Sequence, residues 1–397
     1  MKHLILSYSP EEEPYHEWLP EIKDHIVLFV NEDYIDTFNH NHYSAVLPFG
    51  NYSQNGNIER IAMSLNEKQP FKQVIAIDEL DLIRAAQLRE LFGIEGQSIE
   101  NTVPYRDKLI MKKYIQEEGI PVPEFTLVNS PLDLLLFIEN HDFPVIVKPR
   151  DSVATIGISM IRDSTELEEW LTNQFQPNML AEKYIEGKLY HIDGLVSDGE
   201  IKFCWPSTYH TLNRKWLNTD FHSSYMLGRD NPVFERLISL THKVIELLPS
   251  PKLFTFHLEV FEKPTGELLI CEIASRTGRA LVNNTIEHSL GVNLNRSVLR
   301  LQCDLPVEIN PSLSQLGGWI LCKTQVGELV SVPSEIPFDF VVNYQVTGKP
   351  GMLYGGSKHC VDSIANMMVV ANSEIELQDN ILKAQRWFVE NTKWKSI

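Results

Sequence analysis

Two largely apolar runs, Phe254–Phe261 and Glu267–Ala274, are separated by Lys263-Pro264-Thr265-Gly266, a combination that favours a tight turn. The pattern predicts a β-hairpin. It constrains the chain more than any other segment, because both arms are too apolar to lie in water and yet each carries a carboxylate. Centring the turn between Pro264 and Thr265 sets His257 opposite Glu272 and Glu259 opposite Ile270. Alternation then puts His257 and Glu259 on one face, with Glu272 diagonal to Glu259 and their Cβ atoms roughly 5–7 Å apart. Two carboxylates so placed repel each other unless a cation lies between them. Oxygen-only ligands favour Mg²⁺ or Mn²⁺ over zinc. A solvated face is the alternative, and it would interleave lysines or arginines along the strands. Phe254, Phe256, Leu258 and Val260 stand there instead, so a metal pair of Glu259 and Glu272 is the stronger reading.

The 397 residues predict two or three domains at roughly 150 residues each. Thirty-five Lys and Arg against 53 Asp and Glu leave a net charge of −18, which argues against a nucleic-acid partner needing a basic patch. A small anionic ligand stays open, since a few local cations suffice to hold one. No apolar run reaches the roughly 18–20 residues of a membrane span. The first residues lack the pattern of a signal peptide, so the expected location is the cytoplasm. The five cysteines are odd in number and form no C-x-x-C pair, which predicts reduced thiols and neither a zinc site nor a disulfide framework.

In the first hundred residues, strands are expected at Leu4–Leu6, Ile26–Val30 and Gln73–Ile77, and a helix at Leu80–Leu91 ending on Gly93. Strands alternating with helices predict a parallel, Rossmann-like α/β layer. Ser7-Tyr8-Ser9-Pro10 replaces the glycine-rich dinucleotide fingerprint after the first strand. Asp78 and Glu79, ending the third strand, read more readily as solvated turn carboxylates than as ligand contacts. Further on, helices are expected over Tyr105–Glu118, Thr165–Phe175 and Ser373–Glu390. Strands are expected at Phe143–Pro149, Ile156–Ile161, Met179–Ile185, Trp319–Lys323, Phe340–Tyr344 and Met367–Val370.

Several charges lie inside these strands. Lys148 ends Val-Ile-Val, where an ammonium needs a partner or a route to water. Glu182 opens Glu-Lys-Tyr-Ile-Glu-Gly. Its carboxylate could accept a purine amine, with backbone groups near Tyr184 and Ile185 meeting the ring edge, although edge strands also alternate Glu and Lys. Arg276 and Arg279 follow Glu272 in Ile-Ala-Ser-Arg-Thr-Gly-Arg. Either they clamp a phosphoryl group or a substrate carboxylate, or they pair with nearby acids. The polar and aromatic segment Ser207–Asp230, with His210, Arg214, Trp216 and His222, reads as a flap or as a plain surface connection.

The order of these pieces resembles the ATP-grasp superfamily of carboxylate–amine ligases, strongly over Asn101–Asn295 and more loosely at both ends. Arg106-Asp107-Lys108 with Met111-Lys112, then Gly119-Ile120-Pro121-Val122-Pro123, matches the family's first helix; Val145–Pro149 matches its lysine strand. Glu182–Gly187 matches the adenine hinge, and Tyr190-His191-Ile192-Asp193-Gly194 resembles the following segment of L-amino-acid ligases. His257-Leu258-Glu259 and Glu272-Ile273-Ala274-Ser275-Arg276 match the metal strands.

The resemblance implies an α/β fold in three parts: a Rossmann-like preATP-grasp domain over 1–100, a two-lobed ATP-grasp over 101–310 and a β-rich C-terminal lid over 311–397. It implies that Lys108 contacts ATP phosphates, that Lys148 reaches the adenine and α-phosphate, and that Glu182, Tyr184 and Ile185 hold the adenine. Mg²⁺ or Mn²⁺ would sit on Glu259 and Glu272, with His257, Arg276 and Arg279 as catalytic candidates. Leu189 stands where a Glu is common, which passes the ribose contact to His191 or Asp193. The loop Asp151–Gly157 is poor in glycine, with Ser152 and Thr155 as hydroxyl donors, and Ala274 replaces a frequent Asn.

The activity implied is ATP-dependent activation of an amino acid or similar small carboxylate as an acylphosphate, followed by amide formation with an amine. A carrier-protein thiol as acceptor, a carboxyphosphate-forming carboxylase and a non-catalytic nucleotide binder are the competing readings. A homodimer is compatible with the family.

Overall fold

A computed structural model describes residues 1–8, 13–153, 155–210, 220–357 and 362–396. The N-terminal layer is a parallel sheet of β1 (Lys2–Ser7), β2 (Ile26–Asn31), β3 (Ala45–Phe49) and β4 (Phe71–Ala76), in the order β3-β2-β1-β4. The central strands β1 and β2 are buried along nearly their whole length, as continuous apolar runs in parallel sheets are. β3 escapes a reading by composition because Pro48 interrupts it, which an edge strand tolerates. Beyond β4, the Leu82–Phe92 helix ends on Gly93 at φ 67°, the left-handed position that favours glycine. Asp78 and Glu79 thus stand outside the C-terminal end of a parallel strand, where α/β layers place ligand contacts.

A second, antiparallel sheet contains β5 (Phe125–Val128), β6 (Val145–Pro149), β7 (Ser159–Ile161) and β8 (Met179–Lys183), ordered β5-β8-β6-β7. Before it, the helix expected from Tyr105 begins at Lys108. Asp107 caps it by accepting from the Leu109 and Ile110 N–H groups, and Val103–Tyr105 forms a separate 3₁₀ turn.

The third sheet has eight strands. β9 (Lys188–Ser197), β10 (Glu200–Tyr209), β11 (Phe221–Met226), β12 (Phe254–Glu262), β13 (Leu268–Ala274) and β14 (Leu316–Lys323) are joined by β16 (Val341–Val346) and β18 (Ser363–Ala371). Their order is β13-β12-β9-β10-β11-β14-β18-β16. Strands from the β-rich C-terminal segment therefore extend the sheet that carries the hairpin. The short strands β15 (Val326–Ser331), β17 (Leu353–Gly355) and β19 (Lys393–Lys395) form a small sheet of their own. Helix Glu374–Asn391 buries Leu377, Ile381, Ala384 and Phe388, one helical stripe, in the core cluster shared with β14 and β18.

One expectation is corrected here. The described ends of the segment read as a flap or a surface connection form the end of β10 and all of β11, two interior strands of the large sheet, while its middle, 211–219, lies outside the described residues. Ladder hydrogen bonds on both sides fix them, so they cannot swing. Arg214 and Trp216 lie outside the described residues. Among the described residues no helix is long and apolar enough to cross a membrane. Cys204, Cys271, Cys303 and Cys322 are free, and Cys360 lies outside the described residues.

Candidate active site

The hairpin forms, but in a different register from the one the turn sequence suggested. Lys263 N–H donates to Glu267 O at 2.9 Å and Gly266, at φ 83°, donates to Lys263 O at 2.8 Å. The loop is thus Pro264-Thr265-Gly266, a hairpin connection whose left-handed third residue favours glycine. Val260 then pairs with Ile270 but Glu259 with Glu272, so Cys271 is an extra residue in β13. Loop and bulge together shift the pairing by two. Glu259 faces Glu272 directly, and His257 faces Ala274 instead of Glu272.

Each carboxylate has protein partners, two at Glu259 and a lysine at Glu272. Tyr209 Oη donates to Glu259 Oε1 at 2.9 Å, and His257 Nε2 lies 3.6 Å from the same oxygen. Lys108 Nζ lies 3.3 Å from Glu272 Oε2 and donates to Ser152 O at 3.0 Å. Burial would raise the Glu259 carboxyl, but His257 and Tyr209 hold it down to about 2.

Behind this pair lies a buried charge cluster. Glu182 sits between two ammonium groups, with Lys148 Nζ at 2.9 Å from Oε2 and Lys112 Nζ at 3.2 Å from Oε1. Ile146 pairs with Glu182 across β6 and β8, which puts Lys148 on the diagonal of the same face. Burial alone would neutralise Glu182, yet the two lysines lower its pKa below the ordinary value. The expected purine contact therefore does not describe this carboxylate, which instead orients both lysines. Tyr184 N–H donates to Pro144 O at 3.2 Å and Ile185 is buried, just beyond the end of β8. The connection then passes so close to β12 that a Cβ on Gly187 would collide with the Glu262 backbone oxygen.

His191 and Asp193 stand on β9, beside the hairpin and not at the adenine hinge. His191 Nδ1 is 2.7 Å and His257 Nδ1 is 2.9 Å from the Asp193 carboxylate, which also accepts the Gly278 N–H at 2.8 Å. His191 Nε2 reaches Ser224 Oγ at 2.6 Å. Both residues are almost fully buried and mutually bonded, so the expected ribose contact does not fit them. Burial lowers the His257 pKa, but Asp193 overrides it and lifts the imidazole to about 9. The ligating atoms of His191, Asp193 and His257 lie within 4.8 Å of one another, the reach of a cation site, although hydrogen bonds already engage all three. A Cβ at Gly278 would stand 2.7 Å from Asp193 Oδ1 and 2.8 Å from His257 Nδ1. Only glycine fits there without displacing the network.

The two arginines pair with acids, though not with their sequence neighbours. Arg276 Nε and Nη2 donate to Glu79 Oε2 at 2.9 and 2.6 Å, across 197 residues of sequence. Arg279 Nη2 donates to Asp78 Oδ2 at 2.7 Å, across 201 residues. Arg106 Nη1 donates to the other oxygen of Glu79, and its Nη2 to Asp151 O at 2.7 Å. Burial would raise Glu79, but Arg276 and Arg106 bring it to about 2. The reading of Asp78 and Glu79 as solvated turn residues is therefore wrong: both are buried and join the N-terminal layer to the site. Sequence reasoning gave no role to Arg106, Lys112 or Tyr209. Arg106 looks like an ordinary cation before a helix, Lys112 like a solvated one within it, and Tyr209 is apolar enough to pass as core.

Known proteins share the domain and the fold. Residues 105–301 match the RimK-like ATP-grasp domain. An L-arginine-specific L-amino acid ligase of Bacillus subtilis is 29% identical over 261 residues, 62% of this chain and 62% of that protein. A D-alanine–D-alanine ligase of Nitratiruptor sp. is 35% identical over 108 residues, 26% of this chain and 31% of the relative. The matches thus span less than two thirds of these relatives' lengths. The crystal structure of an L-amino acid ligase from Bacillus licheniformis superposes with a TM-score of 0.79 at 16% identity, covering 100% of this chain and 99% of that one. Carboxyaminoimidazole ribonucleotide synthase from Aspergillus clavatus, solved with ATP, gives 0.74 at 14% identity over 98% of this chain and 99% of that one. Likeness at such identities speaks for the fold alone. Domain match and architecture agree: residues 105–301 of this chain match the RimK-like ATP-grasp domain, and the whole chain has the fold of the solved ATP-grasp ligases.

Proposed function

We propose that this protein is an ATP-dependent ligase that activates an amino acid, or a similar small carboxylate, and joins it to an amine with release of ADP and phosphate. The observation that carries the reading is the direct opposition of Glu259 and Glu272, with Lys108 3.3 Å from the second. Two facing carboxylates suit a hard divalent ion, Mg²⁺ or Mn²⁺, which takes one or two carboxylates plus phosphate oxygens. Bound there, such an ion supplies charge neutralisation to the terminal phosphates of ATP.

Lys108, tied to Ser152 at the start of the loop after β6, and Lys148, braced by Glu182, set fixed positive charge against the phosphates. Arg276, held by Glu79, adds to it; Arg279, partly exposed and held by Asp78, receives a substrate carboxylate. His257, oriented by Asp193, braces Glu259. A substrate carboxylate oxygen attacks the γ-phosphorus as the bond to ADP breaks, which leaves an acylphosphate. The amine then attacks the acyl carbon, phosphate departs, and the nitrogen loses a proton. ATP and free amino acids place the reaction in the cytoplasm.

The test is product analysis with ATP, Mg²⁺ and a panel of amino acids. Amino-acid-dependent release of ADP and phosphate with a new amide is expected. AMP and pyrophosphate would overturn the acylphosphate route. Release of ADP that needs a carrier-protein thiol or bicarbonate would redirect the acceptor. Tight nucleotide binding with no turnover on any carboxylate would make the protein a nucleotide binder.

A further inference from the structure

The bulge that brings Glu272 opposite Glu259 raises a problem of its own. An extra residue in one strand leaves backbone groups without ladder partners, and a buried carbonyl with no donor is costly. Cys271 is that residue and it is buried. β13 is also the edge of the eight-stranded sheet, so no further strand covers its outer side.

The Lys108–Glu117 helix and the turn after it cover this edge. Pro121 O accepts the Ile270 N–H at 2.9 Å, and Met111 Sδ accepts the Ile273 N–H at 3.2 Å. Lys112 Nζ donates to Cys271 O at 2.8 Å and lies 3.5 Å from Ile270 O. Lys108, Met111 and Lys112 are spaced i, i+3, i+4, so one helix face reaches Glu272, Ile273 and Cys271 in turn. Lys112 is fully buried, which a lysine tolerates only where charge and hydrogen bonds compensate it. Glu182, at 3.2 Å, supplies the charge, and the bulged carbonyl the hydrogen bond.

We propose that Lys112 is a positioning residue that holds the Cys271 bulge and thereby keeps Glu272 in register with Glu259 as a cation-binding pair. Its ammonium joins three elements: the helix, the Glu182–Lys148 pair and the hairpin edge. It touches neither carboxylate of the pair, and acts through the backbone between them. The inference rests on the proposed metal role of Glu259 and Glu272.

The test reads Mn²⁺ binding to the full-length protein by electron paramagnetic resonance, with thermal melting in parallel. Wild type and Glu272→Gln come first: if removing Glu272 leaves Mn²⁺ affinity unchanged, the metal pair itself is wrong. With that pair established, Lys112→Met is expected to weaken Mn²⁺ about 10- to 100-fold, the range for residues that orient metal ligands. Lys112→Leu, which likewise leaves Glu182 paired with Lys148 and no buried charge unbalanced, is expected to melt near wild type and to bind Mn²⁺ as weakly. Wild-type Mn²⁺ affinity in either folded variant overturns the role of Lys112. So does loss of the fold in both, since Lys112 would then hold the domain and not the pair.

Discussion

Asp78 and Glu79 on the N-terminal layer, and Glu259 and Glu272 on the hairpin, are acids of the same kind treated in opposite ways. The first two are saturated: Glu79 takes Arg106 on one oxygen and Arg276 on the other, and Asp78 takes Arg279. The second two face each other across a ladder, with one lysine near Glu272 and a histidine and a tyrosine near Glu259. Where a carboxylate faces only arginines, it is a fastener. Where the protein leaves two carboxylates facing, a cation from solution has a place to bind. Neither burial nor the presence of a counter-charge separates the two sets; what does is that Glu259 and Glu272 face each other across one ladder, while Asp78 and Glu79 face arginines.

That contrast can be broken by substitution. Glu272→Gln is expected to lower kcat on the order of 1,000-fold, since metal-assisted charge stabilisation contributes several kcal/mol. Its melting temperature is expected to stay near wild type, because only a partly exposed pair with Lys108 is lost. Turnover near wild type would remove Glu272 from the site. Glu79→Gln is expected to do the reverse, costing about 3–5 kcal/mol in denaturant unfolding by leaving two buried guanidiniums underpaired. An unchanged unfolding midpoint would show that the clasp does not hold the layers.

Acid tests the Glu79 clasp directly. Glu79 has a folded pKa of about 2 against an ordinary 4.5, so its stabilisation is fully present above pH 4.5 and lost as pH falls towards 2. Stability measured from pH 5 to 2 should fall less steeply in Glu79→Gln than in wild type, and parallel curves would contradict the assignment. The smallest effect is expected for Arg279→Ala. Its pair with Asp78 is a quarter exposed on the arginine side, and unfolding should register a loss of about 1 kcal/mol or less.

Much of the site was legible because a charge inside an apolar strand is rare and needs a reason. Lys148, Glu182, Glu259 and Glu272 all stood out that way. The register between the last two did not, because it depends on a left-handed Gly266 and one extra residue at Cys271, each shifting the pairing by one. Asp78 and Glu79 looked like turn residues because their partners lie about two hundred positions away, beyond any local pattern. Lys112 was hidden for the opposite reason: a lysine in an amphipathic helix looks solvated, and only the β13 edge shows what covers it. In the fold, apolar runs located most strands. β3 with its proline, and the interior place of β11, became visible only through pairing.

The Glu79 node has a consequence for modularity. Arg106 and Arg276 belong to the segment that matches the RimK-like ATP-grasp domain, but their shared counter-ion is borrowed from the N-terminal layer. Excising residues 105–301 would strand both guanidiniums, so this segment is not a cassette to be moved alone. Chimeras that exchange the N-terminal layer among relatives should succeed only when the donor brings an acid to the position of Glu79. The boundary between the two parts is then one that recombination crosses at a charge penalty, and the layers are expected to have been inherited together.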